Sequence, residues 1–389
     1  MARILITGGR APAALDLARK FDAAGHTVFA ADSTPWMLCG ASRAVQESFR
    51  LPEPKHHPYD FALQLARVIE RERIDVVVPT CEEVFYVGRF KTLLSERARV
   101  FCADIDILGS LHSKWEFAGL VEREAGFGSI VQAPESWRIT GGADISTLPA
   151  PSDQLVFKPV FSRFAVETLI RPKAETLRAI GPSVERPWLA QRCIEGRELC
   201  SYSVCLDGAV QAHALYEPTW RAGKGAGILF EPRSVPAIER FVAGLARHFN
   251  LTGQVAFDFI EDYAGRIFVL ECNPRATSGV HLFGDDLAAA FLKTGTAIHP
   301  QPQPRMVAPA MMLFGGMSVL RSRHLAYDWQ RLWRDFRRGR DVLWSTSDPW
   351  PALYSLLGAA AFTWRGLRHG VSATAATTLD IEWDGGVIA

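Results

Sequence analysis

Gln254-Val-Ala-Phe-Asp-Phe-Ile260, a turn at Asp262-Tyr-Ala-Gly-Arg266, and Ile267-Phe-Val-Leu-Glu-Cys-Asn-Pro-Arg275 decide how this chain is read. Two β-rich runs separated by a glycine-containing turn predict a hairpin. With a loop at 263–266, Ile260 faces Val269 and Asp258 faces Glu271. Asn273 shares the carboxylates' face, because strand side chains alternate with period two. Directly opposed residues hold their Cβ atoms ~5 Å apart, where two like charges destabilise a bare hairpin. A cation resolves the conflict. Two carboxylates and one amide offer hard oxygen ligands suited to Mg²⁺, with Mn²⁺ as its substitute, and Mg²⁺ takes few protein ligands beside phosphate oxygens and water. A surface hairpin with solvated carboxylates is the plain alternative. It fits poorly, because Val255, Phe257, Phe259, Ile267, Phe268, Val269 and Leu270 make both strands apolar.

Glu271-Cys-Asn-Pro-Arg275, with Asp258 upstream on the partner strand, resembles the metal-binding end of the ATP-grasp enzymes. Those enzymes couple ATP hydrolysis to activation of a carboxylate. The likeness is to the carboxylate-amine ligase type, in particular the carbamoyl-phosphate-synthetase-like and L-amino acid ligase branch.

The 389 residues suffice for two or three domains. Hydrophobic residues make up 48% and charged residues 22%, and 43 basic against 42 acidic residues leave a formal charge of +1. Such a balance gives no general attraction to nucleic acid or to an anionic membrane. Small molecules are the expected partners, and a homodimer is compatible with the composition. The seven cysteines (39, 81, 102, 193, 200, 205, 272) form no CxxC pair and no Cys/His metal spacing. Their odd number fits a reducing cytoplasm. The amino terminus lacks a signal-peptide core, and no run of eighteen apolar residues predicts a transmembrane helix.

Strands at 3–7, 27–31, 75–79 and 99–103, alternating with helices at 11–24, 60–73 and 82–96, predict a doubly wound parallel sheet in an N-terminal α/β domain, residues 1–109. Asp32 closes the second strand where a ribose-binding acid would sit. However, Gly8-Gly-Arg-Ala-Pro12 lacks the G-x-G-x-x-G spacing, and a proline there suits the first turn of a helix. Nucleotide binding is therefore not assigned to this domain, which is expected to shape the acceptor site.

Residues 110–300 are expected to form an α+β ATP-grasp domain, with a lid subdomain at about 113–187 and a metal-binding subdomain at about 188–300. A helix begins at Ser113-Lys-Trp-Glu-Phe117, and Gln154-Leu-Val-Phe-Lys-Pro-Val160 sets Lys158 inside an apolar strand. A lysine there either reaches an edge or meets an anion. The resemblance makes Lys158 and Lys114 contacts to ATP phosphates. It makes Gln191, Arg192, Cys193 and Ile194 the hinge whose backbone meets adenine, Glu198 the acid that takes the ribose hydroxyls, and Asp258, Glu271 and Asn273 the metal ligands. Arg275 is assigned to the developing anion or the substrate carboxylate, and Arg275 and Lys158 are the catalytic candidates. Where the family carries a glycine-rich loop over the phosphates, this chain reads Phe161-Ser-Arg-Phe-Ala165, with Ser162 and Arg163 as substitute donors. Ala256 stands where dipeptide-forming D-alanine ligases carry arginine, which argues against their substrate. Glu217 to Gly227 is expected to be a glycine-rich loop bearing Arg221 and Lys224, either folding over an anion or simply solvated.

Residues 301–389 are a C-terminal extension outside the resemblance. Pro300 to Pro304 is read as a linker and Ala308 to Phe314 as an apolar strand. Over 328–340 a helix carries Trp329, Leu332, Trp333 and Phe336 on one stripe, expected to dock on its own protein rather than on a membrane. Pro349 to Trp364 is expected to be a second, buried helix. The combined reading is an ATP- and Mg²⁺-dependent ligase that activates a carboxylate as an acyl phosphate and joins it to an amine. A bicarbonate-activating enzyme and a non-catalytic ATP-binding protein remain as alternatives. The absence of a biotin-accepting Met-Lys-Met segment and of a glutamine-hydrolysing Cys/His motif weighs against carboxylase and carbamoyl-transfer chemistry.

Overall fold

A computed structural model of the chain describes every residue except 129, 164–166, 223–225, 294, 296 and 389. Its first sheet is parallel throughout, built from β1 (Arg3–Thr7), β2 (Thr27–Asp32), β3 (Glu47–Arg50), β4 (Val76–Pro79) and β5 (Arg99–Val100) in the order β3-β2-β1-β4-β5. Ile4-Leu-Ile6 and Val76-Val-Val78 are buried from end to end, as strands covered on both faces must be. The covering helices Pro12–Ala23 and Pro58–Arg71 each open on a proline, whose fixed φ suits a first turn. The doubly wound expectation is met. Strand β3 gave no signal, since only Phe49 of its four residues is buried. The helix expected over 82–96 breaks at Phe90 into Val84–Arg89 and Lys91–Ser95.

A smaller antiparallel sheet follows: β6 (Ser136–Ile139), β7 (Leu155–Pro159), β8 (Leu169–Ile170) and β9 (Trp188–Arg192), in the order β6-β9-β7-β8. Ile139, Leu155, Phe157, Leu177 and Trp188 form its core. The third sheet comprises β10 (Gly196–Leu206), β11 (Ala209–Ala222), β12 (Ala226–Arg233), β13 (Gly253–Asp262), β14 (Ile267–Asn273), β15 (Arg305–Met306) and β16 (Arg340–Asp341), ordered β14-β13-β10-β11-β12-β15-β16. Trp188 to Arg192, placed by the sequence at the start of the metal-binding subdomain, forms a strand of the smaller sheet. The chain changes sheets at 193–195, and β10 starts on Gly196 because a Cβ there would lie 2.1 Å from the Glu261 carbonyl oxygen.

The expected loop at 217–227 is mostly strand, since β11 runs to Ala222 with Trp220 buried, while Lys224 falls outside the described residues. In β13 and β14, Asp258 pairs with Glu271 as expected. Below that pair the register shifts by one, so Ile260 faces Phe268 rather than Val269, and Leu270 is the additional residue. The helix Pro236–His248, which the sequence reading did not identify, buries Phe241 and Leu245 against Phe257 and Phe259 on the far face of the sheet.

Past residue 300 the chain adds β15 and β16 to the large sheet. Ala308 to Leu320 is helical, not a strand. Periodicity cannot separate helix from strand in a short apolar run, and alanine and methionine favour the helix while Pro309 fits its first turn. The helix Leu325–Arg338 buries Leu332 and packs Phe336, whereas Trp329 and Trp333 are exposed. The helix Trp350–His369 is likewise mostly exposed, burying only Pro351, Gly358 and Gly366, because small residues occupy the side turned to the protein. Among the described residues no helix is long and apolar enough to cross a membrane. The terminal segment returns to the first sheet, where Asp380 meets the buried Arg10 at 2.6 Å.

Gly196→Ala is expected to lower the thermal midpoint, since overpacking of this kind costs about 1–3 kcal/mol. Gly181→Ala, where an added Cβ meets nothing within 4 Å, serves as the neutral control. Equal midpoints for the two variants would show that the β10–β13 approach does not require glycine.

Candidate active site

The site is assembled on the face of the large sheet that carries Cys200, Asp258 and Glu271, cross-strand neighbours in one row, with Asn273 two residues further along β14. Two lysines reach this row from outside the sheet. Lys114 begins the helix Lys114–Arg123, whose Ser113 cap accepts the Glu116 amide at 3.3 Å. Its own amide donates to the Val160 carbonyl at 3.2 Å, which fixes the helix start beside the end of β7. The Lys114 ammonium donates to the Ser162 carbonyl at 2.8 Å and lies 3.3 Å from Glu271. Lys158, on β7, donates to the Leu270 carbonyl at 3.2 Å. That carbonyl belongs to the additional residue of the bulge, and bulges commonly redirect groups beside sites.

Both lysines are buried, and burial lowers the Lys158 ammonium to about 8, partly opposed by Glu271. Burial and the facing Glu271 push the Asp258 carboxyl upward. Burial also acts on Glu271, but Lys114 and Lys158 outweigh it and hold that carboxyl down. Of the two opposed carboxylates, one thus has cations of its own and the other does not. Asn273 reaches Asp258 only through a long 3.5 Å contact. Among the described residues no group of three or more His, Cys, Asp or Glu is arranged to hold a metal alone. Two carboxylates and an amide oxygen do fit a hard cation that arrives with phosphate oxygens.

Arg275 does not point into open space. It pairs with Glu82 at 2.7 Å, and its other nitrogens donate to the Ala276 carbonyl and, at 3.4 Å, to Asn273. Glu82 and Glu83 follow β4, in the crevice where the strand order reverses between β1 and β4 and where open α/β sheets place ligands. Gly8, at φ +71°, makes room for Glu83: a Cβ would stand 2.8 Å from its carboxylate. Glu83 accepts from Thr7, Thr80 and Cys81, and burial pushes it up. One oxygen of each of these two buried carboxylates has no partner among the described residues. The sequence reading overlooked both. Thr80-Cys-Glu-Glu83 directly after a fully buried strand was the available signal. Asp32 is not free for a ribose, since Arg10 and the Thr34 amide hold its carboxylate.

Residues 191–194 run along β9 and just past it. The amides of Arg192 and Cys193 already donate to the Glu135 and Gln154 carbonyls, and the Gln191 side chain donates to Ser136. Among the described residues the Ile194 amide alone of the four is left without an acceptor. Glu198, on β10, is exposed and ion-paired to Arg221. Ser162 contributes a carbonyl to Lys114, while its hydroxyl turns back to Pro159. Arg163 pairs with Glu382 and donates to Thr378 at 2.5 Å, so the terminal segment holds it. A cavity of about 490 Å³ lies here, with Ser162 and Arg163 on one wall and Glu382 and Trp383 on the other. The structure therefore brings together Lys114, Lys158, Asp258, Glu271, Asn273 and Arg275, and leaves Glu198 and residues 191–194 as a separate margin. Phe164 and Ala165 fall outside the described residues.

No protein-family model matches the chain, and no curated protein does. Solved structures match over most of its length. An N5-carboxyaminoimidazole synthetase from Staphylococcus aureus, crystallised with ADP, aligns at TM-score 0.60 and 13% identity over 86% of this chain and 97% of its own. L-amino acid ligase from Bacillus licheniformis aligns at 0.55 and 14% over 74% and 69%. The biotin carboxylase domain of the Hydrogenobacter thermophilus 2-oxoglutarate carboxylase, crystallised with MgADP and bicarbonate, aligns at 0.57 and 13% over 78% and 73%. This chain has the ATP-grasp fold.

Within the ATP-grasp fold of this chain, Lys158 is the sharpest test of the buried row. Lys158→Met keeps the apolar stem and removes the charge. The variant should fold normally and bind ATP more weakly by about 1.5–3 kcal/mol, the scale of a charge-assisted hydrogen bond. Because a cation is needed to meet phosphate, wild-type affinity should fall as pH rises through about 8. The variant should lose that dependence. Calorimetric titration of ATP into both proteins across that range checks it, and unchanged affinity in the variant would show that Lys158 serves only the Leu270 carbonyl.

Proposed function

We propose that the chain is an ADP-forming ligase that phosphorylates a substrate carboxylate with ATP and joins the resulting acyl group to an amine. The observation that carries this is the buried row in which Lys114, Lys158 and Arg275 surround Asp258, Glu271 and Asn273 in an ATP-grasp fold. Burying that many charges is costly unless a charged ligand is meant to join them. Lys114 and Lys158 hold the phosphates. Asp258, Glu271 and Asn273 hold Mg²⁺, for which Mn²⁺ can stand in, and the bound cation supplies neutralisation of phosphate charge. The Ile194 amide addresses the adenine edge beside Gln191, Arg192 and Cys193, and Glu198 takes the ribose.

In the first step a carboxylate oxygen attacks the γ-phosphorus and the bond to the ADP oxygen breaks. In the second the amine nitrogen attacks the acyl carbon, phosphate leaves, and the amine gives up a proton. Positioning and charge neutralisation account for most of such a transfer. Arg275, held by Glu82, stands at the boundary between the phosphate row and the β1/β4 crevice, and neutralises the acid as it approaches the phosphate. The unpartnered oxygens of Glu82 and Glu83 suit the amine of the second substrate, which attacks as the neutral base. The seven free thiols agree with a cytoplasmic setting.

A screen of carboxylic acids with ATP, Mg²⁺ and hydroxylamine tests this. The true acid should yield one hydroxamate per ADP, and Glu271→Gln should abolish both. ADP release with bicarbonate alone would favour carboxy-phosphate chemistry, nucleotide binding without turnover a non-catalytic role, and AMP with pyrophosphate would exclude the mechanism.

A further inference from the structure

The carboxy-terminal extension displays apolar surface that its own fold does not use. Of the 23 large apolar side chains exposed among the described residues, 16 lie between Met312 and Val371. Monomeric proteins rarely leave so much in one segment, and such surfaces mark partner or membrane contacts. The helix Trp350–His369 shows how the arrangement arises. It meets the protein through Pro351, Gly358 and Gly366 and through the Tyr354 hydroxyl, which donates to the Pro35 carbonyl at 3.1 Å. Its large residues Leu353, Leu356, Leu357, Trp364 and Leu367 follow helical spacing on the outward side. An ordinary docked helix would turn that stripe inward. Trp329 and Trp333 do the same on the helix Leu325–Arg338, and Trp344 is exposed in the connection between the two.

Charge selects the occupant. Residues 312–371 contain nine arginines, four aspartates and no lysine or glutamate. The aspartates are taken up by the protein's own fold. Asp335 is buried, accepts the Trp220 indole at 3.0 Å and pairs with Arg331, Arg334 and Arg338, so its one charge is shared among three of the arginines, and Asp348, also buried, holds Arg19, Ser42 and the Arg43 amide. Asp341 caps the Ala308 and Trp344 amides, and Asp328 accepts from Ser322. Arg321, Arg323, Arg334, Arg337, Arg338 and Arg368 remain exposed. Trp329, Trp333, Arg334, Arg337 and Arg338 of the helix Leu325–Arg338 line an open hollow of about 570 Å³. A second copy of the chain would bring like charges together on this surface. Indole rings and arginines together suit the boundary between acyl chains and anionic headgroups.

We propose that residues 312–371 dock this protein on the surface of a bilayer containing anionic phospholipid, with the exposed tryptophans and leucines entering the interface and the arginines meeting lipid phosphates. Attachment is peripheral, in keeping with the absence of a spanning helix among the described residues. Full-length protein is sedimented with phosphatidylcholine vesicles containing phosphatidylglycerol, with pure phosphatidylcholine vesicles, and alone. Binding is expected with the anionic vesicles only and should weaken as salt is added. Trp329→Ser/Trp333→Ser, Leu356→Ser/Trp364→Ser and Arg323→Glu/Arg337→Glu should each keep the wild-type melting midpoint and lose vesicle affinity roughly tenfold or more. The charge-reversal pair changes exposed residues only, so it still decides if an apolar pair unfolds. Equal binding to neutral vesicles overturns the proposal. So does the absence of vesicle binding, whether the protein is then monomeric or a dimer that Leu356→Ser/Trp364→Ser dissociates.

Discussion

Two carboxylates opposed across a buried hairpin create a repulsion that the surrounding structure answers from two directions. Asp258 and Glu271 share a row of the large sheet because their strands pair in that register. Lys114 comes from a helix start and Lys158 from a second sheet. Lys114 pairs with Glu271 and Lys158 adds its field, while burial and its neighbour push Asp258 toward protonation. An arrangement serving stability alone would be better filled by apolar residues of similar volume. In the proposed function, a ligand completes that charge.

The same row joins the parts of the chain. Arg275 leaves the end of the hairpin and pairs with Glu82, just past β4 of the parallel sheet, so the buried row and the β1/β4 crevice share one ion pair. The terminal segment adds a further tie, since Asp380 meets Arg10 and Glu382 meets both Lys55 and Arg163. The loop after β7 and the carboxy-terminal segment therefore line one cavity, with Ser162 and Arg163 from the first and Glu382 and Trp383 from the second.

Much of this was legible in local sequence. The Asp258 and Glu271 pairing, the buried position of Lys158 and the parallel order of the first sheet each depend on patterns within a few residues. What the sequence concealed depends on partners far along the chain. Glu82 acquires its role from Arg275, 193 residues away. Arg163 is read naturally as a phosphate donor until Glu382 is found beside it. The bulge at Leu270 shifts the lower hairpin by one residue, and its carbonyl accepts from Lys158, 112 residues away. In the carboxy-terminal helices periodicity located the apolar stripes but could not say which way they face. Gly358 and Gly366, which look like helix weaknesses in sequence, are what turn the large residues of the last long helix outward.

The central claim is that the buried row is a phosphate and metal site. A crystal structure of the full chain with Mg²⁺ and a non-hydrolysable ATP analogue addresses it most directly. The account predicts the Lys114 and Lys158 ammonium groups on phosphate oxygens, with Lys158 released from the Leu270 carbonyl and a cation bridging Asp258 and Glu271 to the phosphates. Nucleotide bound elsewhere, with both lysines still on their present carbonyls, would contradict it.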